Sequence, residues 1–433
     1  MNSRVHQGER IILPRALDVA QDVLDLLKCI HPGEEIWFFG TDVSDAFHQI
    51  PLRQDEWRFT VAEFSGKYYV FTVLVFGSAS APTVWGRYAA WLGRSTATIV
   101  NPDRLRIQIY VDDPIFTIRG TLYDAAVEVA IALAWIMCCG YPLAWPKSEG
   151  GKKISWIGVR YSAQLTPAPS VTVTIPEDKV KEALNFCTET LRHQAIHIKT
   201  MRSGTGKCQN IANVVPGIKP FCSYLWAALA VPKEEDNNNK KIQRRRDWVK
   251  VKKAQHGIRW LIQYFSGKKG PIQRTFRLKI PDSCWMVISV DASPWGLGGI
   301  LHQNGTIVNW FADIIQDNDL RILHAERANP AFQTTWEALA ILVAVRLWLR
   351  ESHDGIRIEI RSDSLSALSA AGKASSGSKS VRTILCELAL DEADLVGGSC
   401  WLTHIPGKAN KLPDALSRLH APTKSSIPIE LLT

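Results

Sequence analysis

Seven acids stand out by what surrounds them. Asp42 closes an aromatic, apolar run at 35–43 (EIWFFGTDV). Asp112 and Asp113 form an adjacent pair between two β-like segments, 105–111 and 115–119. Asp291 precedes a glycine-bearing stretch (SVDASPWGLGGIL), and Glu337 is expected in the first turn of a helix (TTWEALAILVAVRLW). Asp363 follows a strand-like segment (IRSDSLSAL), and Asp414 opens a last helical segment (IPGKANKLPDALSRL). Carboxylates that converge repel one another and hold their protons unless cations neutralise them. Hard cations with oxygen ligands, chiefly Mg²⁺, do so. Two such ions ~3.5–4 Å apart support in-line phosphoryl transfer or phosphodiester hydrolysis. Taken singly, an Asp-Asp pair marks an exposed turn and acids at helix starts are caps.

Two sets of elements must bring these acids together. In the first half, apolar residues at helical spacing (Leu17, Ala20, Val23, Leu24, Leu27) predict a helix that stops before Pro32-Gly33. A strand over 35–43 follows, then a hairpin around Ser65-Gly66, a helix over 82–92, and a hairpin whose turn holds Asp112-Asp113. A helix from Ala125 and a strand over 153–159 complete the set. This order predicts an antiparallel sheet backed by helices, with Asp42 beside the Asp112–Asp113 turn. In the second half, strands are expected at 285–290, 298–301, 306–310, 357–361 and 400–405, and helices at 335–349 and 381–388. Residues 371–380 (AGKASSGSKS) are expected to be a loop. Strand ends and helix starts then place Asp291, Glu337, Asp363 and Asp414 where they can converge.

The words around the first three acids are specific. TDVSDAFHQIPL (41–52), LVFGSASAPTVW (74–85), YVDD (110–113), GYPLAWPK (140–147) and ISWIG (154–158) occur in that order. Residues 1–230 thereby resemble the polymerase part of reverse transcriptases from LTR-type retrotransposons and retroviruses, and the likeness is strongest over 36–160. The resemblance implies that Asp42, Asp112 and Asp113 are catalytic metal ligands, with the backbone carbonyl of Val43 as a further ligand. It implies that Phe47 excludes a ribose 2′-hydroxyl, that Phe76 and Gly77 contact the dNTP, and that Lys147 approaches the triphosphate. It also implies that the hairpin with Trp156 and Gly158 grips the primer. The pattern departs from the family at Val75, where Pro is usual, at Ser78-Ala79, and at Pro114, which is expected to distort the acid-bearing hairpin. The basic finger residues that precede the first motif in the family have no match among Arg4, Arg10 and Arg15, so the fingers are expected to be truncated.

Residues 280–420 resemble the RNase H domain that follows reverse transcriptase in the same elements, with NKLPDALSR close to the NxxADxLSR pattern. That implies Asp291, Glu337, Asp363 and Asp414 as catalytic metal ligands and Asn410 as a substrate-side residue. His404 receives no role. An insertion is expected around 313–330. The implied fold is α+β, a reverse-transcriptase palm followed by a mixed α/β RNase H-like domain. The expected domains are 1–160 (palm with partial fingers), 161–276 (thumb or connection, with a basic linker at 233–253), 277–420 (RNase H-like) and a tail at 421–433. The implied activity is that of a retrotransposon pol segment. It extends a DNA primer on an RNA template with dNTPs and cuts the RNA of RNA–DNA hybrids, using two Mg²⁺ per active site or Mn²⁺ in their place. Other pol-derived domains or a second copy are its expected protein partners. The rival readings are a finger-truncated fragment with RNase H activity only and a non-catalytic nucleic-acid-binding remnant.

Composition agrees with these expectations. The 433 residues hold 51 Lys+Arg against 42 Asp+Glu, a net charge of +9 that suits a polyanionic partner. Hydrophobic residues at 46% exclude wholesale disorder. Nine scattered Cys with no CxxC pair argue against structural zinc and, without a secretory leader after Met1, for reduced thiols. The expected location is intracellular, in a cytoplasmic particle or the nucleus, and not secreted. The apolar stretch 125–145 approaches the ~20 residues that span a bilayer. Glu128, Gly140 and Pro142 favour a buried helix over a membrane span.

Overall fold

The computed structural model describes residues 11–230, 234–235, 241–242, 247–267, 271–278, 285–349, 357–394, 400–423 and 426–432. The chain forms two compact units, residues 1–176 with 273–279, and residues 177–272 with 280–433.

The first unit begins with α1 (Ala16–Leu27), where Ala20, Val23 and Leu27 of the predicted face are buried together with Ala16, Val19 and Leu26, while Leu17 and Leu24 are only half-buried. Next come β1 (Glu35–Gly40), β2 (Val61–Phe64), β3 (Lys67–Val70), α2 (Ala81–Ile99), β4 (Leu105–Tyr110), β5 (Asp113–Gly120) and α3 (Leu122–Cys138). Then follow β6 (Glu149–Gly151), β7 (Lys153–Trp156), β8 (Val159–Gln164) and β9 (Ser170–Thr174). One sheet has the order β4-β5-β1-β6, antiparallel throughout, with α2 against β4 and α3 against β5. This is the helix-backed antiparallel sheet expected from the sequence. Its core packs Phe47, Trp85, Leu92, Phe116, Ile118 and Ile136. The Thr121 hydroxyl accepts from the Asp124 amide at 3.2 Å, and the Asp124 carboxylate accepts from the Thr121 amide at 3.2 Å, so a capping box starts α3. The helix ends at Cys138, and among the described residues no helix is long and apolar enough to cross a membrane.

Three local expectations are corrected in this unit. The helix predicted at 82–92 runs from Ala81 to Ile99. The strand predicted at 153–159 folds back on itself, because Ile157 (φ 41°) and Gly158 (φ 81°) form a two-residue turn that pairs Trp156 with Val159. Pro114 does not distort its hairpin, since it lies opposite Ile109 inside β5 and its carbonyl accepts from the Thr41 amide at 3.2 Å.

The second unit opens with helices α4 (Glu177–Leu191), α5 (Ile198–Val214) and α6 (Lys219–Leu229), with β10 (Ala195–His197) between the first two. The two-residue strands β11 (Glu234–Glu235) and β12 (Lys241–Ile242) pair with each other, and β13 (Trp248–Lys250) pairs with β10. The rest of the expected basic linker, apart from 247–253, lies outside the described residues. Helix α7 (Gln255–Gly267) follows, and β14 (Gln273–Arg277) returns to the first unit, where it completes a second sheet, β14-β9-β8-β7. The sheet that began in the palm sequence therefore runs past residue 160, through β8 and β9.

The remaining elements are β15 (Trp285–Ala292), β16 (Gly296–Gln303), β17 (Thr306–Ile314), α8 (Asp317–Leu323), α9 (Gln333–Trp348), β18 (Arg357–Ser362), α10 (Leu365–Lys373), α11 (Lys379–Asp394), β19 (Cys400–His404) and α12 (Lys411–Ser417). Their sheet has the order β17-β16-β15-β18-β19. The β17, β16 and β15 strands are antiparallel, whereas β18 runs parallel to both β15 and β19. Trp336, Ile341, Ile288, Val290, Ile358 and Ile360 are among the buried residues of its core. Helix α8 occupies the stretch read as an insertion. The predicted loop at 371–380 is shorter than expected, since α10 reaches Lys373 and α11 starts at Lys379.

The glycines of β16 explain how α12 reaches the sheet. A Cβ on Gly298 would stand 2.4 Å from the Pro413 carbonyl and 2.6 Å from the Ser417 amide nitrogen. A Cβ on Gly296 would stand 2.9 Å from the Ser417 carbonyl. All three obstacles are backbone, so a side chain at Gly298 forces the helix away, and one at Gly296 also meets the Asp313 carbonyl of β17 at 2.7 Å. Gly298→Ala is expected to destabilise the second unit by about 1–3 kcal/mol, read as a lower thermal midpoint of the full chain.

Candidate active sites

The first centre is built by β1 and the β4–β5 hairpin. Beyond Gly40↔Ile115 the ladder continues, with Thr41 N–H on the Pro114 carbonyl (3.2 Å) and Val43 N–H on the Asp112 carbonyl (2.7 Å). Asp42 is held between these two bonds, across from Asp113. The turn itself is Val111-Asp112, because Tyr110 pairs with Asp113. Val111 has φ 59°, a left-handed conformation that a β-branched residue adopts only under constraint, at roughly 1–3 kcal/mol. The Trp85 indole N–H donates to the Val111 carbonyl at 2.6 Å and holds that conformation. Trp85→Phe removes this donor from a buried position. It is expected to lower stability by about 1–3 kcal/mol, measured by denaturant unfolding, and to reduce primer extension by loosening the turn.

The electrostatics of this centre are uneven. Burial pushes Asp113 up to about 7, the charges of Asp42 and Asp112 add to the rise, and the charge of Lys147 opposes it. Lys147 forms an ion pair with Asp42, which raises the lysine above its ordinary value. One of the three acids is thus neutralised by the chain itself. Val43 is buried and bridges to Leu143. Phe47 is buried, with its ring edge-on to Phe76 (4.9 Å between centroids) and 6.3 Å from Trp85. Phe76 is exposed, and Gly77 takes φ 90°. Trp156 lies inside the fold, where its indole donates to the Asp113 carbonyl at 3.1 Å, so the exposed part of the implied primer-gripping hairpin is Gly158.

The second centre forms where β15 and β18 end. The two strands are parallel, with Ser289 beside Arg361, so Asp291 and Asp363 emerge at the same end of the sheet. Helix α9 packs on β15 and brings Glu337. Asp291, Glu337 and Asp363 each offer a carboxylate oxygen within 4.8 Å of the others, and they are the only such cluster of metal-binding groups among the described residues. Asp291 and Glu337 are 4% and 5% exposed. Burial, followed by the charges of Asp363 and Asp414, pushes Asp291 up to about 7 against the opposing Ser417 hydrogen bond. Burial and then the charge of Asp291 push Glu337 up to about 8, and Gln333 opposes. Gln333 Nε2 donates to Glu337 Oε1 at 3.0 Å and to the Ala292 carbonyl at 2.6 Å. Glu337 Oε2 and Asn410 Oδ1 are buried without a hydrogen-bond partner. Buried carboxylates that repel one another, with an oxygen left unpaired, match what a divalent cation requires.

Several acids sit differently from the sequence expectation. Glu337 is in the second turn of α9, because a short 3-10 turn at Pro330–Phe332 leads into a helix that already starts at Gln333. Asp363 is not a helix cap; Ser364 caps α10, accepting from the Ala367 amide. Asp414 lies in the first turn of α12 and pairs with Arg418 at 2.7 Å, outside the close group of three. Asn410 is 1% exposed and donates to the Val290 carbonyl (3.0 Å) and to Asp291 Oδ1 (3.4 Å), so it supports the acid from inside. His404 is exposed at the end of β19 opposite Ser362, one residue from Asp363. Trp85, Gln333 and Ser417 went unread in the sequence. Gln333 precedes Glu337 by four residues and Ser417 follows Asp414 by three, which are the helical spacings that put side chains on one face.

Residues 11–161 match the family described as "Reverse transcriptase (RNA-dependent DNA polymerase)", so the first centre lies in a reverse-transcriptase segment. Among solved structures the chain is similar to the foamy viral protease-reverse transcriptase in complex with dsDNA, at 14% identity and a TM-score of 0.42, over 93% of this chain and 72% of that one. It is also similar to the dRH form of that protein with ds DNA (14%, TM-score 0.41, 93% and 61%) and to the complex with RNA/DNA hybrid (14%, TM-score 0.41, 91% and 46%). The chain thus spans less than two thirds of the length of the last two. A search of the curated proteins found no match.

Proposed function

We propose that this chain is the reverse transcriptase–RNase H part of a retroelement pol polyprotein, an RNA-directed DNA polymerase that also cleaves the RNA of RNA–DNA hybrids. The observation that supports it most is the presence of two carboxylate centres in one chain, the first inside the reverse-transcriptase segment and the second at the end of a mixed sheet of order β17-β16-β15-β18-β19. Asp42, Asp112, Asp113 and the Val43 carbonyl would hold divalent ions at the first, and Asp291, Glu337 and Asp363, with Asp414 beside them, at the second. Mg²⁺ or Mn²⁺, when bound, acidifies a hydroxyl or water and stabilises charge on phosphate oxygens.

The chain's own residues do the rest. The Val111 turn presents Asp112 and Asp113, and Lys147 is released from Asp42 to meet an incoming triphosphate. Phe47, backed by Trp85, walls the sugar side and favours dNTPs over rNTPs. Copying RNA leaves a hybrid whose RNA strand must be removed before second-strand synthesis, which links the two activities. The net charge of +9 suits an RNA template and a DNA primer.

The test is primer extension on poly(rA)/oligo(dT) beside cleavage of a labelled hybrid. Both activities are expected. Cleavage alone supports the nuclease-only reading, which one observation favours, namely that the close acid cluster is at the second centre while Lys147 occupies Asp42 at the first. Neither activity overturns both readings.

A further inference from the structure

We infer that Ser417 is a positioning residue for the nuclease centre, and that α12 serves as a clamp on Asp291 as well as the carrier of Asp414. This rests on the reading of Asp291, Glu337 and Asp363 as a metal site.

The Ser417 side chain is fully buried, and its hydroxyl lies 2.8 Å from Asp291 Oδ2 and 2.9 Å from the Asp414 carbonyl. The Asp414 carbonyl only accepts, as does the Asp291 carboxylate once ionised, so the hydroxyl proton is then held between them. At the other end of the same helix, Asn410 Nδ2 reaches Asp291 Oδ1 at 3.4 Å and the Val290 carbonyl at 3.0 Å. Each carboxylate oxygen of Asp291 is therefore met by a donor from a different end of α12. The helix cannot slide to release them, because the Ser417 carbonyl accepts from Ser293 Oγ at 2.6 Å and Gly296 and Gly298 admit its backbone against β16. A carboxylate held at both oxygens keeps one rotamer, the one in which it stands within 4.8 Å of Glu337 and Asp363. Partners that orient a ligand in this way typically contribute about 10–100-fold to metal affinity.

The test measures Mn²⁺ binding to the full chain by electron paramagnetic resonance, together with thermal melting and the Mg²⁺ dependence of hybrid cleavage. Ser417→Ala is expected to weaken binding at this centre by about 10–100-fold with little change in melting. Its Mg²⁺ requirement for cleavage should rise in parallel, with kcat recovered at high Mg²⁺. Ser417→Cys, similar in size with a feeble donor, should fall between Ala and wild type, which a purely packing role would not produce. Glu337→Gln is measured in parallel and should lose the ion. Wild-type Mn²⁺ affinity in a folded Ser417→Ala or Ser417→Cys chain overturns the positioning role while leaving the metal site standing. Wild-type affinity in Glu337→Gln overturns the metal reading itself, and the inference with it.

Discussion

Glu337→Gln is expected to reduce hybrid cleavage on the order of a thousandfold or more while primer extension persists, because it removes a charged oxygen from the close group of three without changing side-chain size. The same substitution has a signature in pH. The carboxyl of Glu337 has an ordinary value of 4.5 and is pushed up to about 8, chiefly by burial. Between these values the unfolded chain has ionised the group and the folded chain still holds its proton. Its contribution to stability is therefore fully present below 4.5 and is lost as pH rises through about 8. Asp291, pushed up to about 7, acts in the same direction. The metal-free chain should accordingly melt at a lower temperature at pH 8 than at pH 5.5, and Glu337→Gln should flatten this dependence. Added Mg²⁺ should restore wild-type stability most strongly at the alkaline end, where proton release no longer competes with cation binding. A Glu337→Gln chain with wild-type cleavage and an unchanged pH slope would refute both parts.

Asp113→Asn is the matching experiment at the first centre. Primer extension should fall on the order of a thousandfold, and hybrid cleavage should continue, since its acids belong to the other compact unit. Asp113 is held up at about 7 by burial and by the charge of Asp42, so at pH 8 its ionised form opposes folding. Asparagine keeps the shape and removes that charge. The variant should therefore melt at or above the wild-type temperature at pH 8, with the difference fading as pH falls toward 4. Loss of extension accompanied by a large drop in melting temperature would instead make Asp113 a structural residue of the hairpin.

Much of this arrangement was legible in the residue order because strand ends and turns are local matters. The alternation around 105–119 with an acid pair in its middle specified a hairpin, and Asp42 at the end of an aromatic strand specified its neighbour. The glycines of SVDASPWGLGGIL announced a backbone approach, although nothing nearby in sequence named α12 as what approaches. What was illegible depends on tertiary burial. The resemblance implied substrate-side roles for Asn410 and Trp156, and the structure buries both and bonds them to acid-bearing strands. Glu337 falls in the second turn because the helix starts at Gln333, two residues before the expected 335. The strain at Val111 is likewise set by Trp85, 26 residues away, which no local propensity encodes.

The contact between Ser417 and Asp291 joins residues 126 apart in sequence, whereas the Asp112–Asp113 turn closes within a single hairpin. Closing long loops is entropically slower than closing short ones. Because synthesis runs from the N-terminus, Asp42 and the Asp112–Asp113 hairpin are made before Ser417, whose hydroxyl completes the Asp291 contact. Order of synthesis thus completes the first carboxylate group before the second.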